Sequence, residues 1–143
     1  MSGRNKKMLN LKKFGLKTNF QTYIIAEIGI NHGGNINIAK KLIESVASTG
    51  ADAVKFQTYI TEKRSPNNKN IFKILKSCEL PFPLFLELKK FAKKFNLDFF
   101  STPFDDDSAN YLKKIGVNII KISSFDIVNR PYLKNLSKLK NKI

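Results

Sequence analysis

The sequence predicts an α/β fold in which four strand–helix units build one parallel sheet. Apolar runs without polar alternation, such as residues 23–26, are typical of parallel strands covered on both faces. Between these runs lie segments whose apolar residues recur every three or four positions, which is the spacing of an amphipathic helix. Each run is followed by polar residues, at the end of the sheet where α/β proteins bind ligands. Alternation of this kind indicates strands joined by right-handed crossovers.

The first half of the chain supplies two strands and one helix. The run at residues 23–26 leads to Glu27 and then to the polar cluster Asn31-His32-Gly33-Gly34. Asn35 is predicted to cap a helix that reaches about Thr49, and Gly50 ends it. The second strand, residues 52–57, contains Lys55 within an apolar run. A lysine there is costly unless it meets an anion. The alternatives are a side chain that reaches the surface or one that pairs with Glu27.

The second half continues the alternation. Residues 59–81 are predicted to be largely irregular, with a short helix at 71–76. A helix follows at 82–95, with Pro83 in its first turn. The third strand is residues 97–101, and acidic residues open the next helix at 105–115. A fourth strand is predicted at 117–122, and Pro131 opens a final helix through about Leu139.

The composition is that of a globular chain. Its 143 residues suffice for one domain with a core, and 42% of them are hydrophobic. We assign residues 1–21 to a basic flexible leader and residues 22–143 to the folded domain. No apolar run is long enough to span a membrane, and the leader lacks the apolar core of a secretion signal. We therefore expect a cytoplasmic protein with no membrane partner. The single cysteine, Cys78, excludes an internal disulfide framework and a cysteine metal cluster.

The formal net charge of +15 raises the question of nucleic-acid binding. The 26 basic residues are mostly lysines spread along predicted helices, as in Lys89-Lys90 and Lys113-Lys114. The sequence contains no zinc-finger spacing, basic zipper or RNP-like aromatic motif. We therefore expect no nucleic-acid partner, and a flat salt dependence of DNA binding would eliminate that alternative.

Two α/β architectures fit the predicted units: an open doubly wound sheet, or part of an eight-stranded barrel. Neither a G-x-G-x-x-G after the first strand nor a P-loop is present. Polar residues cluster at every strand end, which fits the ligand-binding face of a barrel better than a single crevice. A full barrel needs about 250 residues. The four βα units would therefore form the first half of a TIM (β/α)8 barrel.

Residues at the four predicted strand ends form the candidate site. Two lysines with several hydroxyl groups suit a small anion with several charges, such as a phosphate ester or a carboxylate. A carboxylate beside them can serve as a base or contact a metal. The candidates are Glu27, Asn31 and His32 from the first strand, Lys55, Gln57 and Thr58 from the second, Ser101, Thr102 and Asp105 from the third, and Lys121, Ser123, Ser124 and Asp126 from the fourth.

Four segments around these residues carry a resemblance. They are AEIGINHGG at 26–34, GADAVKFQT at 50–58, STPFD at 101–105 and KISSFD at 121–126. In this order and spacing they resemble the sialic acid synthases, a family that makes N-acetylneuraminate and related nonulosonates such as legionaminate and pseudaminate. The resemblance extends from Tyr23 to about Leu139.

The resemblance implies a TIM-barrel enzyme that condenses phosphoenolpyruvate with an N-acylmannosamine-type sugar aldehyde. C3 of phosphoenolpyruvate attacks the aldehyde carbon, water adds at C2, and phosphate leaves with C–O cleavage. A divalent metal, Mn2+ or Mg2+, is implied as the cofactor. By similarity, Glu27 lies beside the reacting water and the sugar, and no individual role follows for Asn31 and His32. The implied phosphoenolpyruvate contacts are Lys55, Thr102, Lys121 and Ser124, and the implied sugar contacts are Gln57 and Asp126.

The sequence also departs from the family pattern. In the family, two histidines from the second half of the barrel hold the metal, and a C-terminal antifreeze-like domain of a partner subunit closes over the sugar. This chain has one histidine and stops before either feature. We therefore expect no metal ligands within it and no condensing activity of the chain alone, with a homodimer expected for the full-length family. In the last motif, Phe125 stands where glycine is commoner in the family. In this respect the sequence resembles the pseudaminate synthases somewhat more. The alternative function is a non-catalytic α/β module that binds an anion or a partner through the same lysines.

Overall fold

The computed structural model describes residues 22–67 and 70–139, in which strands alternate with helices. The predicted leader, residues 1–21, lies outside the described residues. A short 3-10 turn at Asp126–Val128 precedes the last helix. The elements are β1 Ile25–Gly29, α1 Ile36–Ala47, β2 Ala53–Thr58, α2 Thr61–Arg64, α3 Asn70–Cys78, α4 Phe82–Lys94, β3 Asp98–Pro103, α5 Asp106–Lys114 and α6 Arg130–Lys138.

The described strands form one parallel sheet in the order β1-β2-β3. Its register places Glu27 opposite Lys55, and Gln57 opposite Thr102. Because the strands run in the same direction, their carboxyl ends lie along one edge of the sheet. The predicted α/β class with a parallel sheet is therefore confirmed.

The hydrophobic core lies on one face of this sheet. Val54 and Phe56 of β2 pack there with buried residues of β1 and β3 and with the apolar faces of α1 and α4. Successive side chains of a strand point to opposite faces. Lys55 and Gln57 therefore point away from this core, to the same face as their register partners.

Four predicted helices are confirmed to within one or two residues at each end: α1, α4, α5 and α6. Asn35 caps α1 as predicted, since its side chain accepts hydrogen bonds from the N–H groups of Asn37 and Ile38. Among the described residues, no helix is both long enough and apolar enough to cross a membrane.

The prediction of a full fourth strand at residues 117–122 is wrong. Among the described residues, this segment makes an isolated parallel bridge between Ile120 and Ser101. The Lys121 N–H supports it by donating to the Ser101 carbonyl at 3.2 Å. A segment that pairs on one side makes only part of the ladder hydrogen bonds, and β propensity alone does not extend it. The bridge still places this segment beside β3.

The prediction that residues 59–81 are largely irregular is also wrong. Helices α2 and α3 occupy most of this stretch, and α3 is longer than the helix predicted at 71–76. Pro66 and the asparagines that follow it favour a loop in the sequence. Tertiary contacts favour the helix instead, since Leu75 is buried and its carbonyl accepts from the Tyr59 hydroxyl at 2.9 Å.

Candidate functional site

Lys55 is the centre of a cluster that joins all three strands. Its Nζ lies 2.6 Å from Glu27 Oε2 on β1 and donates a hydrogen bond of 3.2 Å to Thr102 Oγ1 on β3. The Lys55 side chain is 8% exposed, whereas that of Glu27 is 57% exposed. The buried ammonium is thus paired with a carboxylate that remains in contact with water.

This arrangement suits the exchange of one anion for another. A buried ammonium needs a compensating negative charge, because removing an unpaired charge from water is costly. Glu27 supplies that charge, and pairing with Glu27 was one of the two alternatives that the sequence left open for Lys55. Because Glu27 is largely exposed, water screens its attraction for Lys55. A ligand carrying a phosphate or carboxylate can therefore compete with Glu27 for the ammonium.

Lys121 and Ser124 lie at the same end of the sheet but outside this cluster. Both side chains are exposed. Among the described residues, neither side chain forms a hydrogen bond or ion pair with Glu27, Lys55 or Thr102. The structure therefore brings three of the predicted site residues into direct contact and leaves Lys121 and Ser124 on the surface nearby.

Gln57 contacts a residue that sequence reasoning missed. Its Oε1 accepts a hydrogen bond of 3.0 Å from Arg64 Nη1. The Arg64 guanidinium lies 3.6 Å from the centre of the Phe104 ring and 4.8 Å from that of Tyr59. Phe104 directly follows β3, and Tyr59 directly follows β2. An arginine can stack on aromatic residues at strand ends, so these two residues were the sequence signal that could have indicated Arg64. The interpretation of 59–81 as irregular concealed it.

Asp126 lines the same cleft as Arg64. Burial raises the pKa of Asp126, while the charges of Arg64 and Lys121 act in the opposite direction. Its Oδ2 is buried without a hydrogen-bond partner among the described residues. Together with Arg64, Phe104 and Phe125, Asp126 lines a cleft of about 480 Å³. A volume of this order is typical of small-molecule sites.

His32 is part of the core. It is 1% exposed, and its ring centre lies 5.9 Å from that of Phe56. Its Nδ1 accepts the Gly34 N–H at 3.1 Å, so the proton of the neutral ring is on Nε2, which has no partner among the described residues. Burial lowers the pKa of His32, with the Gly29 backbone acting in the opposite direction. These contacts give His32 a structural role in the packing of the core.

Asn31 is exposed, and its backbone N–H donates to the Ile28 carbonyl at 3.1 Å. Within the described part of the chain, its side chain has no hydrogen bond to the Lys55 cluster. The structure therefore does not bring Asn31 to the site.

The remaining strand-end candidates hold the framework together. Thr58 Oγ1 and Ser101 Oγ share a buried hydrogen bond of 2.7 Å between β2 and β3. Asp105 caps α5 by accepting from the N–H and hydroxyl of Ser108 at 2.8 and 2.7 Å, and its Oδ2 also accepts the Ile60 N–H at 3.0 Å. Ser123 is buried, and its hydroxyl accepts the Phe125 N–H at 3.3 Å.

The residues that the structure describes do not fit a divalent metal by themselves. No group of three His, Cys, Asp or Glu side chains among them lies in a position to hold one. The carboxylate of the cluster, that of Glu27, is already paired with Lys55. An ammonium with hydroxyl and amide groups nearby is a donor set that suits an anion better than a divalent metal.

The fold and this cluster define an α/β protein with a candidate anion site at the carboxyl ends of its parallel strands. A sequence model of the NeuB family matches residues 42–143, and the chain belongs to this family. The predicted kinship with the sialic acid synthases is thereby confirmed.

The relatives of this chain include named legionaminic and pseudaminic acid synthases. The N,N'-diacetyllegionaminic acid synthase of Campylobacter jejuni is 42% identical in an alignment that covers 86% of this chain and 41% of that protein. The pseudaminic acid synthase of Helicobacter pylori is 28% identical, over 84% of this chain and 39% of that protein. Overall identity therefore does not follow the hint from Phe125.

A solved structure gives the same kinship. It is a crystal structure of the N-acetylneuraminic acid (sialic acid) synthetase of Leptospira borgpetersenii in complex with citrate. It is similar to this chain with a TM-score of 0.79 and 44% identity, over 82% of this chain and 41% of that chain. The chain thus spans less than half the length of each of these relatives.

Proposed function

We propose that residues 22–143 supply the first half of a TIM-barrel nonulosonate synthase. The proposed reaction condenses phosphoenolpyruvate with an N-acylmannosamine-type aldehyde to a sialic acid or a related nonulosonate and releases phosphate. The observation that carries the proposal is the buried Lys55 ammonium, held by Glu27 and Thr102 at the strand ends. Membership of the NeuB family supports this class of reaction.

Phosphoenolpyruvate is the ligand that this cluster fits. Its phosphate or carboxylate would take the place of Glu27 at the Lys55 ammonium and accept a hydrogen bond from the Thr102 hydroxyl. Lys121 and Ser124, exposed at the same end of the sheet, would contact the second anionic group. The phosphate is then held by donors that can stabilise its negative charge as it leaves.

Displacement from Lys55 gives Glu27 its proposed role. The freed carboxylate lies at the edge of the site, where it can accept a proton from the water that adds at C2. The C2=C3 double bond supplies the electron pair with which C3 bonds to the aldehyde carbon, and the aldehyde oxygen takes up a proton to become a hydroxyl group. The water oxygen bonds to C2 and loses both of its protons, and the C2–O bond to phosphate breaks to leave the ketone. Gln57 and Asp126 would hold the sugar, since Gln57 is hydrogen-bonded to Arg64 and Asp126 lines the cleft that Arg64 borders.

The described residues also suggest why the intact chain alone should not catalyse the reaction. They provide one anion cluster but no group of three side chains for a metal. We infer that the further strands and the metal ligands of a working enzyme come from residues other than these.

A chimera tests the proposal. Residues 22–139 would replace the aligned region of the Campylobacter legionaminic acid synthase, and phosphate release would be measured with phosphoenolpyruvate and N-acylated amino sugars. The chimera should release phosphate only when both substrates are present, whereas the intact chain alone should release none. Lys55→Ala in the chimera should lower kcat/KM by at least about 100-fold. Lys41→Ala, which removes the same charge from the exposed surface of α1, should not.

Two other outcomes of the chimera experiment would count against the proposed reaction. A folded chimera that binds phosphoenolpyruvate but never turns over would favour the non-catalytic anion-binding module. A folded chimera that neither binds phosphoenolpyruvate nor releases phosphate would contradict the proposal.

A further inference from the structure

Arg64 is held in place from several directions. Its guanidinium is half-buried and lies over Phe104 and beside Tyr59. Contacts with these two adjacent aromatic rings restrict the side chain to the end of the sheet. Its hydrogen bond to Gln57 therefore comes from a side chain with little freedom to turn away.

The backbone that carries Arg64 is also fixed. Helix α2 begins where Asp105 accepts the Ile60 N–H and Glu79 accepts the Thr61 N–H, each at 3.0 Å. The side chain of Lys63 pairs with Asp107 at the start of α5. These contacts tie α2 to both α5 and the end of α3. The position of Arg64 is thus set by the fold and not by the Gln57 contact alone.

A guanidinium can only donate hydrogen bonds, so the carboxamide oxygen of Gln57 must face it. The Gln57 Nε2 then points the other way. A Cβ placed on Gly29 would lie 3.6 Å from Gln57 Nε2 and 3.7 Å from Glu27 Oε1, so this donor and this acceptor both lie close to the same point of β1. Among the described residues, Nε2 has no hydrogen-bond partner of its own.

We propose that Arg64 is a positioning residue for substrate selection, which turns the Gln57 N–H2 group toward Glu27. The inference rests on the function proposed above and names a determinant of its sugar specificity. The resulting corner offers an N–H donor beside a carboxylate acceptor. It matches a ligand in which an acceptor oxygen lies next to an N–H or O–H donor. An open-chain 2-acylamino aldose has this pattern, because its aldehyde oxygen accepts and its adjacent amide N–H donates.

The first test reads the Gln57 amide directly. Gln21 and Gln57 are the two glutamines of the chain. Labelling glutamine side chains with 15N therefore gives two NH2 groups in an NMR spectrum of the intact chain, and Gln57→Asn assigns them. Arg64→Met should shift the Gln57 signals and leave those of Gln21 in place, while Arg64→Lys, which keeps a donor, should shift them less. Arg130→Met, at an exposed arginine, should shift neither.

The second test separates positioning from direct anion binding. Phosphoenolpyruvate would be titrated first, and N-acetylmannosamine would then be titrated at saturating phosphoenolpyruvate. Arg64→Met should weaken sugar binding by at least about tenfold and change phosphoenolpyruvate affinity by less than about twofold. Equal losses for both ligands would overturn the inference and make Arg64 a direct anion contact.

Failure of the inference is distinguishable from failure of the proposed function. If the wild-type chain binds neither ligand, the proposed function loses its support, but the NMR comparison still decides whether Arg64 orients Gln57. Gln57 signals that are identical in wild type and Arg64→Met would overturn the inference whatever the ligands do.

Discussion

Lys55 Nζ lies 2.6 Å from Glu27 Oε2, so a buried cation on β2 is neutralised by an exposed carboxylate on β1. The register of the parallel sheet places these residues opposite each other. Because the carboxylate faces water and the ammonium does not, the two members of the pair should respond differently to substitution.

Removing the carboxylate should cost more stability than removing the ammonium. Glu27→Gln should lower the free energy of unfolding by about 1 kcal/mol, because Lys55 then stays buried without its anion. Lys55→Met should be neutral or stabilising, because it removes the buried charge itself. Urea denaturation of the intact chain would measure both. Glu62→Gln, which breaks an exposed pair with Lys76, should change stability less than Glu27→Gln does. A larger loss for Lys55→Met than for Glu27→Gln would contradict this account.

The chain's single histidine permits a clear pH experiment. Burial lowers the pKa of His32 in the folded state, whereas the pKa of an unfolded histidine is about 6.5. Below that pH the unfolded state binds a proton that the folded state does not, so stability is lost as the pH falls from about 7 toward the lowered pKa. Asn at position 32 can still accept the Gly34 N–H, so His32→Asn should flatten this part of the pH profile. An unchanged slope in the variant would rule out His32 as its cause.

Gly33 and Gly34 offer two similar substitutions with different expected costs. Both have positive φ, 55° and 74°, where an alanine is strained by roughly 1–2 kcal/mol. A Cβ on Gly33 would meet nothing within 4 Å, but one on Gly34 would overlap the backbone oxygen of Ser77 in α3. Gly34→Ala should therefore be less stable than Gly33→Ala by about a further 1–3 kcal/mol. Equal losses in thermal or urea denaturation would show that α3 does not pack on this turn as described.

Asp105 should be more important for stability than its acidic neighbours. It caps α5 and also accepts the Ile60 N–H, so Asp105→Ala should cost about 2 kcal/mol. Asp106→Ala, in the exposed first turn of α5, should cost less than about 1 kcal/mol. Urea denaturation compares them, and similar losses would mean that the contact between α2 and α5 contributes little.

Local signals explain which parts of the fold were predictable. The helices α1, α4, α5 and α6 follow from apolar spacing and from caps such as Asn35, all of which lie close together in sequence. The segment at 117–122 and the stretch at 59–81 depend on pairing and packing with distant residues. Their sequences alone therefore gave a strand that is only a bridge and a loop that is mostly helix.

The same distinction holds for the site. Placing residues at the ends of parallel strands was enough to expect Glu27, Lys55 and Thr102 together. Arg64 was missed because its position depends on Phe104, a residue brought close by the fold. Whether His32 faces a ligand or the core depends on how the turn at Gly33 and Gly34 packs, which local sequence does not determine.

Calorimetric titration of the intact chain with phosphoenolpyruvate tests the central claim, that the Lys55 cluster is an anion site. We predict saturable binding that Lys55→Ala weakens by at least about tenfold, which corresponds to about 1.4 kcal/mol. Lys121→Ala should weaken it less, and Lys41→Ala, which removes an equal charge from α1, should change it by less than about twofold. Identical affinities for wild type, Lys55→Ala and Lys41→Ala would contradict the claim.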